Sequence, residues 1–171
     1  MYEEVQWSLS PMNAANNVNG IGTVGRSEVY TLQEPALLAV QEALTRKVVT
    51  ELNEFPNLLF EIANEPYFGG ITMAWQHRIA DVIVQTERTL PAKHLIAQNI
   101  ANKSARIVDP HPAVSVFNFH YATPPETVAV NRDNERLSPV PDDLRSVEPN
   151  GSRRVCSSCA RCDRGRRSAL E

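Results

Sequence analysis

Apolar residues recur at helical spacing between Pro35 and Leu52, and this pattern predicts an amphipathic helix that ends before Pro56. Pro35 suits the first turn of a helix, where its missing N–H is not needed. The polar residues between the apolar positions, Gln41 and Glu42 among them, are expected on the solvent side. The predicted apolar stripe consists of Leu37, Val40, Leu44, Val48 and Leu52.

A second helix is predicted over residues 72–90, after Gly69-Gly70 and before Pro91. We expect its apolar face to be buried, because the spacing again follows the helical period. The residues of this face are Trp75, Ile79, Val82, Ile83, Thr86 and Leu90.

Three short apolar runs, at 58–63, 94–99 and 114–119, predict β-strands that alternate with the helices. The first run is nearly unbroken, as expected for a strand that is covered on both faces. A short helix is expected at 102–108. This alternation is typical of parallel βα units, in which the carboxyl ends of the strands lie along one edge. The polar residues at these three ends are Asn64-Glu65-Pro66, Gln98-Asn99 and His120-Tyr121.

The two ends of the chain lack such periodicity. Residues 10–20 are dense in turn-forming residues, which favours either a long functional loop or a frayed terminus over 1–30. Residues 132–171 contain no countable stripe and are expected to be loop or disorder. We therefore divide the chain into a loop-rich segment at 1–30, βα units at 31–131, and an irregular tail at 132–171.

Composition narrows the class of protein. The chain has 171 residues, 42% of them hydrophobic, and a formal net charge of -3, so it has the means to build a buried core. No apolar run approaches the roughly 20 residues of a membrane helix, and no membrane partner is expected. Glu3 and Glu4 occupy positions where a signal peptide carries positive charge, so no location is predicted.

The tail differs in composition from the rest, because residues 151–171 contain six arginines, two acids and all three cysteines. Cys156, Cys159 and Cys162 have the spacing of a zinc or iron–sulfur site, and the arginines suit phosphate binding. A fourth ligand is missing after Cys162, however. We favour a non-homologous or out-of-frame extension, and we predict no metal, no cofactor and no nucleic-acid partner.

Glu65 is the main candidate for chemistry, because it directly follows an apolar strand and a rim carboxyl is suited to general acid catalysis. The segment 60–66, Phe-Glu-Ile-Ala-Asn-Glu-Pro, resembles the fourth-strand motif of the retaining (β/α)8 glycoside hydrolases, particularly the cellulase-like glycoside hydrolase family 5. The resemblance implies that Glu65 is the acid/base catalyst and that Asn64 binds a sugar hydroxyl beside the scissile bond. It also implies a partial (β/α)8 barrel, roughly from the third or fourth strand to the sixth.

Two further segments support this resemblance, which covers about residues 5–130. Residues 117–121, Phe-Asn-Phe-His-Tyr, look like the sixth-strand end of the family, where a histidine and a nearby aromatic residue line the sugar subsite. The resemblance therefore implies that His120 and Tyr121 bind substrate, although the family often places the tyrosine one position further on. Trp7, in a loop similar to that after the third strand, is a candidate for stacking on a sugar or for simple packing.

Retaining hydrolysis needs a second carboxyl group, roughly 5–5.5 Å from the first, as nucleophile. In the family this is a glutamate at the end of the seventh strand, and no apolar run after residue 131 predicts such a strand here. We assign the role to none of the downstream acids, which are Glu126, Asp142, Asp143 and Glu148. We therefore expect a fragment of a cellulase-like glycoside hydrolase that hydrolyses β-glycosidic O-links in poly- or oligosaccharides by a retaining mechanism, and we expect this chain to be inactive by itself.

Two other functions remain open. One is a non-catalytic carbohydrate-binding remnant, and the other is a tail that binds metal or nucleic acid. The remaining histidines, His77, His94 and His111, are expected to have packing or surface roles. The oligomeric state and the particular sugar are not predicted.

Overall fold

The computed structural model describes residues 3–102, 105–121 and 130–131. The chain divides into two compact units, a helical unit formed by Met1–Leu58 and Pro66–His94, and a sheet unit formed by Leu59–Glu65 and Leu95–Glu171. The elements are α1 (Glu4–Ser8), a short 3-10 helix (Ala14–Asn16), α2 (Pro35–Glu51), β1 (Leu59–Glu61), α3 (Met73–Glu87), β2 (Leu95–Asn102) and β3 (Val114–His120).

The two long helices form where the sequence predicts them, and their ends have local causes. The Glu34 carboxylate accepts the N–H of Ala36 at the start of α2, and the Thr72 hydroxyl accepts the N–H of Trp75 at the start of α3. Such caps satisfy N–H groups that have no partner within the helix. At the end of α3, the Lys93 ammonium donates to the carbonyls of Glu87 and Leu90.

The prediction for the buried face of α2 is wrong. Leu37 is buried, but the other four residues of the predicted stripe are 38–54% exposed, whereas Gln41 and Glu42 are buried. The reason is that both polar side chains have partners inside the helical unit. The Gln41 side chain donates to the carbonyl of Val29 (2.8 Å) and accepts from the Trp75 indole (2.8 Å), so its burial leaves these polar groups satisfied.

The prediction for α3 is confirmed over most of its length. Trp75, Ile79, Val82 and Ile83 are buried, and Thr86 is partly buried. Trp75 also contacts the ring of Tyr30 edge-on, with centroids 5.1 Å apart. The helical period therefore identified most of the buried face here, although the polar residues Gln76 and Glu87 of α3 are buried as well.

Residues 3–30 are more regular than a plain loop, because they contain α1, the 3-10 helix and a network of asparagine side chains. The Asn16 amide donates to the carbonyls of Ser8 (2.6 Å) and Ser10 (2.9 Å), and the Asn17 amide donates to three further carbonyls. Gly22 has φ +85, and a Cβ there would lie 1.8 Å from the carbonyl oxygen of Met12. These contacts favour the ordered loop over the frayed terminus.

The three predicted strands form one parallel sheet in the order β1-β2-β3. Leu59 pairs with Leu95 at one end of the sheet, and Asn99 pairs with Asn118. The register shifts between Asn99 and Ala101, as in a β-bulge, a feature that is common beside functional sites. The structure is thus a small α/β protein with a three-stranded parallel sheet over the described residues.

Two details of the predicted sheet unit are wrong. β1 is not covered on both faces, because Leu59 and Glu61 are exposed and Phe60 is partly buried at this edge of the sheet. Residues 105–108 are not helical, and β2 instead continues to Asn102. The side chain of Asn131 accepts the N–H of Ile107 (2.7 Å) and donates to the carbonyl of Ala105 (2.9 Å), which holds this segment.

The core of the sheet unit is built from β2, β3 and the segment that joins them. Its buried apolar residues are Ile96, Ala97, Ile107, Val114, Val116 and Phe119. In the part of the chain that the structure describes, no helix combines the length and the apolar character needed to cross a membrane. The predicted tail at 132–171, with its cysteines and arginines, lies outside the described residues.

Candidate active site at the strand ends

The sheet unit brings together one residue from each of the three predicted strand ends. Glu65 follows β1, Asn99 lies on β2, and His120 is the last residue of β3. The backbone N–H of Glu65 donates to Oδ1 of Asn99 (2.9 Å), and Oε1 of Glu65 lies 3.0 Å from Nδ1 of His120. A carboxyl group and an imidazole therefore form a hydrogen-bonded pair at this edge of the sheet.

The Asn99 side chain binds the backbone of the segment after β1 and the backbone of β3. Its Nδ2 donates to the carbonyl of Asn118 (2.9 Å), while its Oδ1 accepts from Glu65, and the side chain is buried. Buried amides with both ends bonded are strongly constrained in orientation. Asn99 thus fixes the position of the Glu65 backbone relative to β3.

Through Asn118, a second carboxylate, that of Glu61, is connected to the site. Nδ2 of Asn118 donates to Oε2 of Glu61 (2.9 Å) and lies 3.5 Å from Nε2 of His120. We call the five residues Glu61, Glu65, Asn99, Asn118 and His120 the strand-end network. Because each is connected to the next by a side chain, displacement of one member alters the geometry of the others.

The backbone is strained at two positions of this edge. Glu65 has φ +45 and Tyr121 has φ +52, and these are two of the three non-glycine residues with positive φ in the described part of the chain. A left-handed conformation at such residues costs of order 1–3 kcal/mol and is concentrated at functional sites. The hydrogen bond from the Glu65 N–H to Asn99 helps to hold this conformation.

The Glu65–His120 pair is partly open to solvent. The side chain of Glu65 is 18% exposed and that of His120 is 26% exposed, so both are shielded but within reach of a small molecule. A carboxyl group and an imidazole at hydrogen-bond distance can pass a proton between them or hold it toward a bound substrate. The geometry is therefore suited to general acid–base chemistry.

The other residues predicted from the sequence have different positions. Asn64 is exposed beside Glu65. Tyr121 is 80% exposed, and its ring meets that of His120 edge-on with centroids 6.1 Å apart. Trp7 lies in the helical unit, where it is buried in a cluster with Val29 and Leu37. Its ring has no exposed face for a sugar, so the structure supports the packing role.

Sequence reasoning did not assign a role to Glu61, Asn99 or Asn118. Glu61 and Asn118 lie inside the two segments that carry the family resemblance, and Asn99 lies at the second predicted strand end. Their positions near the predicted strand ends indicated that they could belong to a site. Their contacts, however, depend on the register between the paired strands. In the described residues, no group of three or more His, Cys, Asp or Glu side chains is arranged to hold a metal ion. The downstream acids Glu126, Asp142, Asp143 and Glu148 lie outside those residues.

Comparison of the chain with protein-family models, with curated proteins and with solved structures gives no match.

Proposed function

We propose that this chain is part of a retaining glycoside hydrolase of the (β/α)8 type, acting on β-glycosidic O-links in poly- or oligosaccharides. The observation that carries the proposal is the hydrogen bond between Glu65 and His120 at the ends of two parallel strands, within an Asn-Glu-Pro sequence. Active sites of α/β proteins lie at this edge of the sheet.

In this function Glu65 is the acid/base catalyst. Its carboxyl proton passes to the departing glycosidic oxygen, and the resulting carboxylate accepts a hydrogen bond from Nδ1 of His120, 3.0 Å away. The carboxylate later takes a proton from the water that releases the sugar. Asn64 and Tyr121, both exposed beside this pair, contact the sugar.

The proposal assigns no residue as nucleophile, so the test supplies one. Purified chain is incubated with aryl β-glucosides, β-mannosides and β-cellobiosides in the presence of azide. Azide nitrogen bonds to the anomeric carbon as the bond to the aryl oxygen breaks, and Glu65 gives its proton to that oxygen. We expect an α-glycosyl azide, with the largest rate enhancement for aryl groups that leave poorly, because these depend most on protonation.

The matched variants are Glu65→Gln and Glu54→Gln. Glu54 is an exposed glutamate of the helical unit and is not a member of the strand-end network. Loss of the azide product in Glu65→Gln, with the wild-type rate in Glu54→Gln, supports the acid role. Equal rates in wild type and Glu65→Gln contradict it, and so does the absence of any azide product above the buffer background.

A second candidate function is sugar binding without catalysis, and the exposure of Tyr121 favours it. An aromatic ring that is 80% exposed beside a histidine suits stacking against a sugar face. Titration with cello- and manno-oligosaccharides, followed by NMR, separates the two functions. Shifts at His120 and Tyr121 without azide transfer identify a binding remnant, whereas shifts together with Glu65-dependent transfer identify the hydrolase.

A further inference from the structure

The two ring nitrogens of His120 have partners of opposite character. Nδ1 lies 3.0 Å from Oε1 of Glu65, and Nε2 lies 3.5 Å from Nδ2 of Asn118. A carboxylate oxygen accepts hydrogen bonds, while an amide nitrogen only donates them. The two contacts are satisfied together when the proton is on Nδ1 and Nε2 is the acceptor.

The orientation of the Asn118 amide determines this argument, and Glu61 determines the orientation. Oε2 of Glu61 lies 2.9 Å from the Asn118 side chain and can only accept, so the amide must turn its Nδ2 toward it. One N–H of that Nδ2 then points to Glu61, and the second is available to Nε2 of His120. A reversed amide would place its oxygen against the carboxylate, which is unfavourable.

The backbone of Asn118 is held independently of its side chain. Asn118 pairs with Asn99 in the parallel sheet, and its carbonyl accepts from the Asn99 amide at 2.9 Å. The same Asn99 side chain accepts the N–H of Glu65. Asn118 and Glu65 are therefore placed relative to each other by one buried residue, which leaves His120 between them.

From these contacts we propose that Asn118, oriented by Glu61, is a positioning residue that keeps His120 in the tautomer with its proton on Nδ1. His120 then donates to Glu65 and stabilises the carboxylate that remains after a proton has been given up. The catalytic meaning of this inference rests on the proposed function. The tautomer itself is independent of any sugar chemistry and is measured without substrate.

The experiment is long-range 1H–15N NMR of the full chain with 15N-labelled histidine, at a pH where the rings are neutral. The chain has four histidines, and a His120→Gln spectrum identifies the signals of His120. In the wild type we expect a protonated Nδ1 and an unprotonated Nε2. A protonated Nε2 in the wild type overturns the proposal before any variant is made.

The decisive variant is Asn118→Asp, which keeps the shape of the side chain and replaces the donor opposite Nε2 with an acceptor. We expect Nε2 to become protonated, with loss of its unprotonated signal, while the backbone amide signal of Glu65 shows that the sheet unit is folded. Asn57→Asp is the matched control, because Asn57 is exposed in the helical unit, and it should leave the His120 signals unchanged. An unprotonated Nε2 in a folded Asn118→Asp chain contradicts the proposal.

Glu61→Gln provides a second test that does not depend on the folding of Asn118→Asp. The new amide can donate to Asn118, so the Asn118 side chain is free to reverse, and we expect a partial shift of the His120 proton from Nδ1 to Nε2. No shift contradicts the role of Glu61. Failure of this inference and failure of the proposed function are distinguishable. The azide reaction can fail while His120 has the expected tautomer, and the tautomer can differ while the azide reaction still depends on Glu65.

Discussion

Two glutamate–histidine pairs in the described part of the chain, one in each unit, have opposite surroundings. In the helical unit, Oε1 of Glu87 lies 2.6 Å from Nδ1 of His94, and both side chains are at most 5% exposed. In the sheet unit, Glu65 and His120 are 3.0 Å apart and partly open to solvent. The same two functional groups are therefore closed off in one place and accessible in the other.

The two pairs also differ in the partner of the second imidazole nitrogen. Nε2 of His94 lies 3.1 Å from the carbonyl of Phe55, whereas Nε2 of His120 faces an amide donor. The carboxylate of Glu87 also accepts the backbone N–H of His94. The Glu87–His94 pair thus satisfies its polar groups within the helical unit and has a structural role. Of the two roles expected for His94, packing or surface, its burial favours packing.

The largest effect is expected from Glu87→Gln. The substitution keeps the size of the side chain but places amide hydrogens among the N–H groups of His94, inside a nearly dry site. Breaking a buried pair in this way lowers the free energy of unfolding by about 3 kcal/mol. Urea denaturation of wild type and variant measures the change. A loss below about 1 kcal/mol would show that water reaches the pair and would remove the contrast with Glu65.

A smaller, pH-dependent effect is expected from Glu42→Gln. Glu42 contacts Nε of Arg78 at 2.5 Å and Nη2 of Arg46 at 2.6 Å. The hydrogen bond from Arg78 lowers the pKa of Glu42 below its ordinary value of 4.5, and burial, which raises the pKa, does not cancel it. We expect a loss of about 1 kcal/mol at neutral pH, because both guanidinium groups are nearly half exposed.

The pH dependence follows from the direction of that shift. A lowered pKa in the folded state stabilises the fold above the unfolded-state pKa, and this stabilisation disappears as the pH falls through the folded-state value. The difference between wild type and Glu42→Gln should therefore be full at neutral pH and shrink below a pH of about 4.5. A difference that stays constant down to acidic pH would show that packing, and not charge, is lost in the variant.

The smallest effect on stability is expected from Glu65→Gln, the counterpart of Glu87→Gln. Because the Glu65–His120 pair is partly solvated, its loss should change the free energy of unfolding by less than about 1 kcal/mol. The azide reaction, in contrast, should be lost, most completely for aryl groups that leave poorly, because these depend most on protonation by Glu65. If Glu65→Gln destabilises the chain as much as Glu87→Gln does, the strand-end pair is structural and the distinction between the two pairs fails.

Particular elements show how much of the fold the local sequence predicted. α3 has its predicted face, and β3 ends at His120 as expected. α2 forms over the predicted residues but buries Gln41 and Glu42 in place of most of its apolar stripe. Periodicity marks a face, but the hydrogen bonds of Gln41 and Glu42 with Val29, Trp75 and Arg78 decide which face is buried. These partners lie 12, 34 and 36 residues away in the chain.

The candidate site shows the same division. The sequence identified Glu65 and His120 as candidates and placed Asn99 at a strand end, because polar residues after apolar runs are a local signal. It did not identify Asn118 or Glu61 as partners. Their contact spans 57 residues of sequence, and the Glu65–His120 contact spans 55.

The sequence by itself determined the alternation of helices and strands, their approximate ends at prolines and capping residues, and the edge of the sheet where polar residues collect. These properties follow from short-range sterics and from the periods of the two backbone conformations. Only the tertiary structure decided which helix face is buried, and that one Glu–His pair is closed while the other is open. The buried helix face depends on hydrogen bonds between distant residues, and the open pair depends on strand register, and no local pattern encodes either.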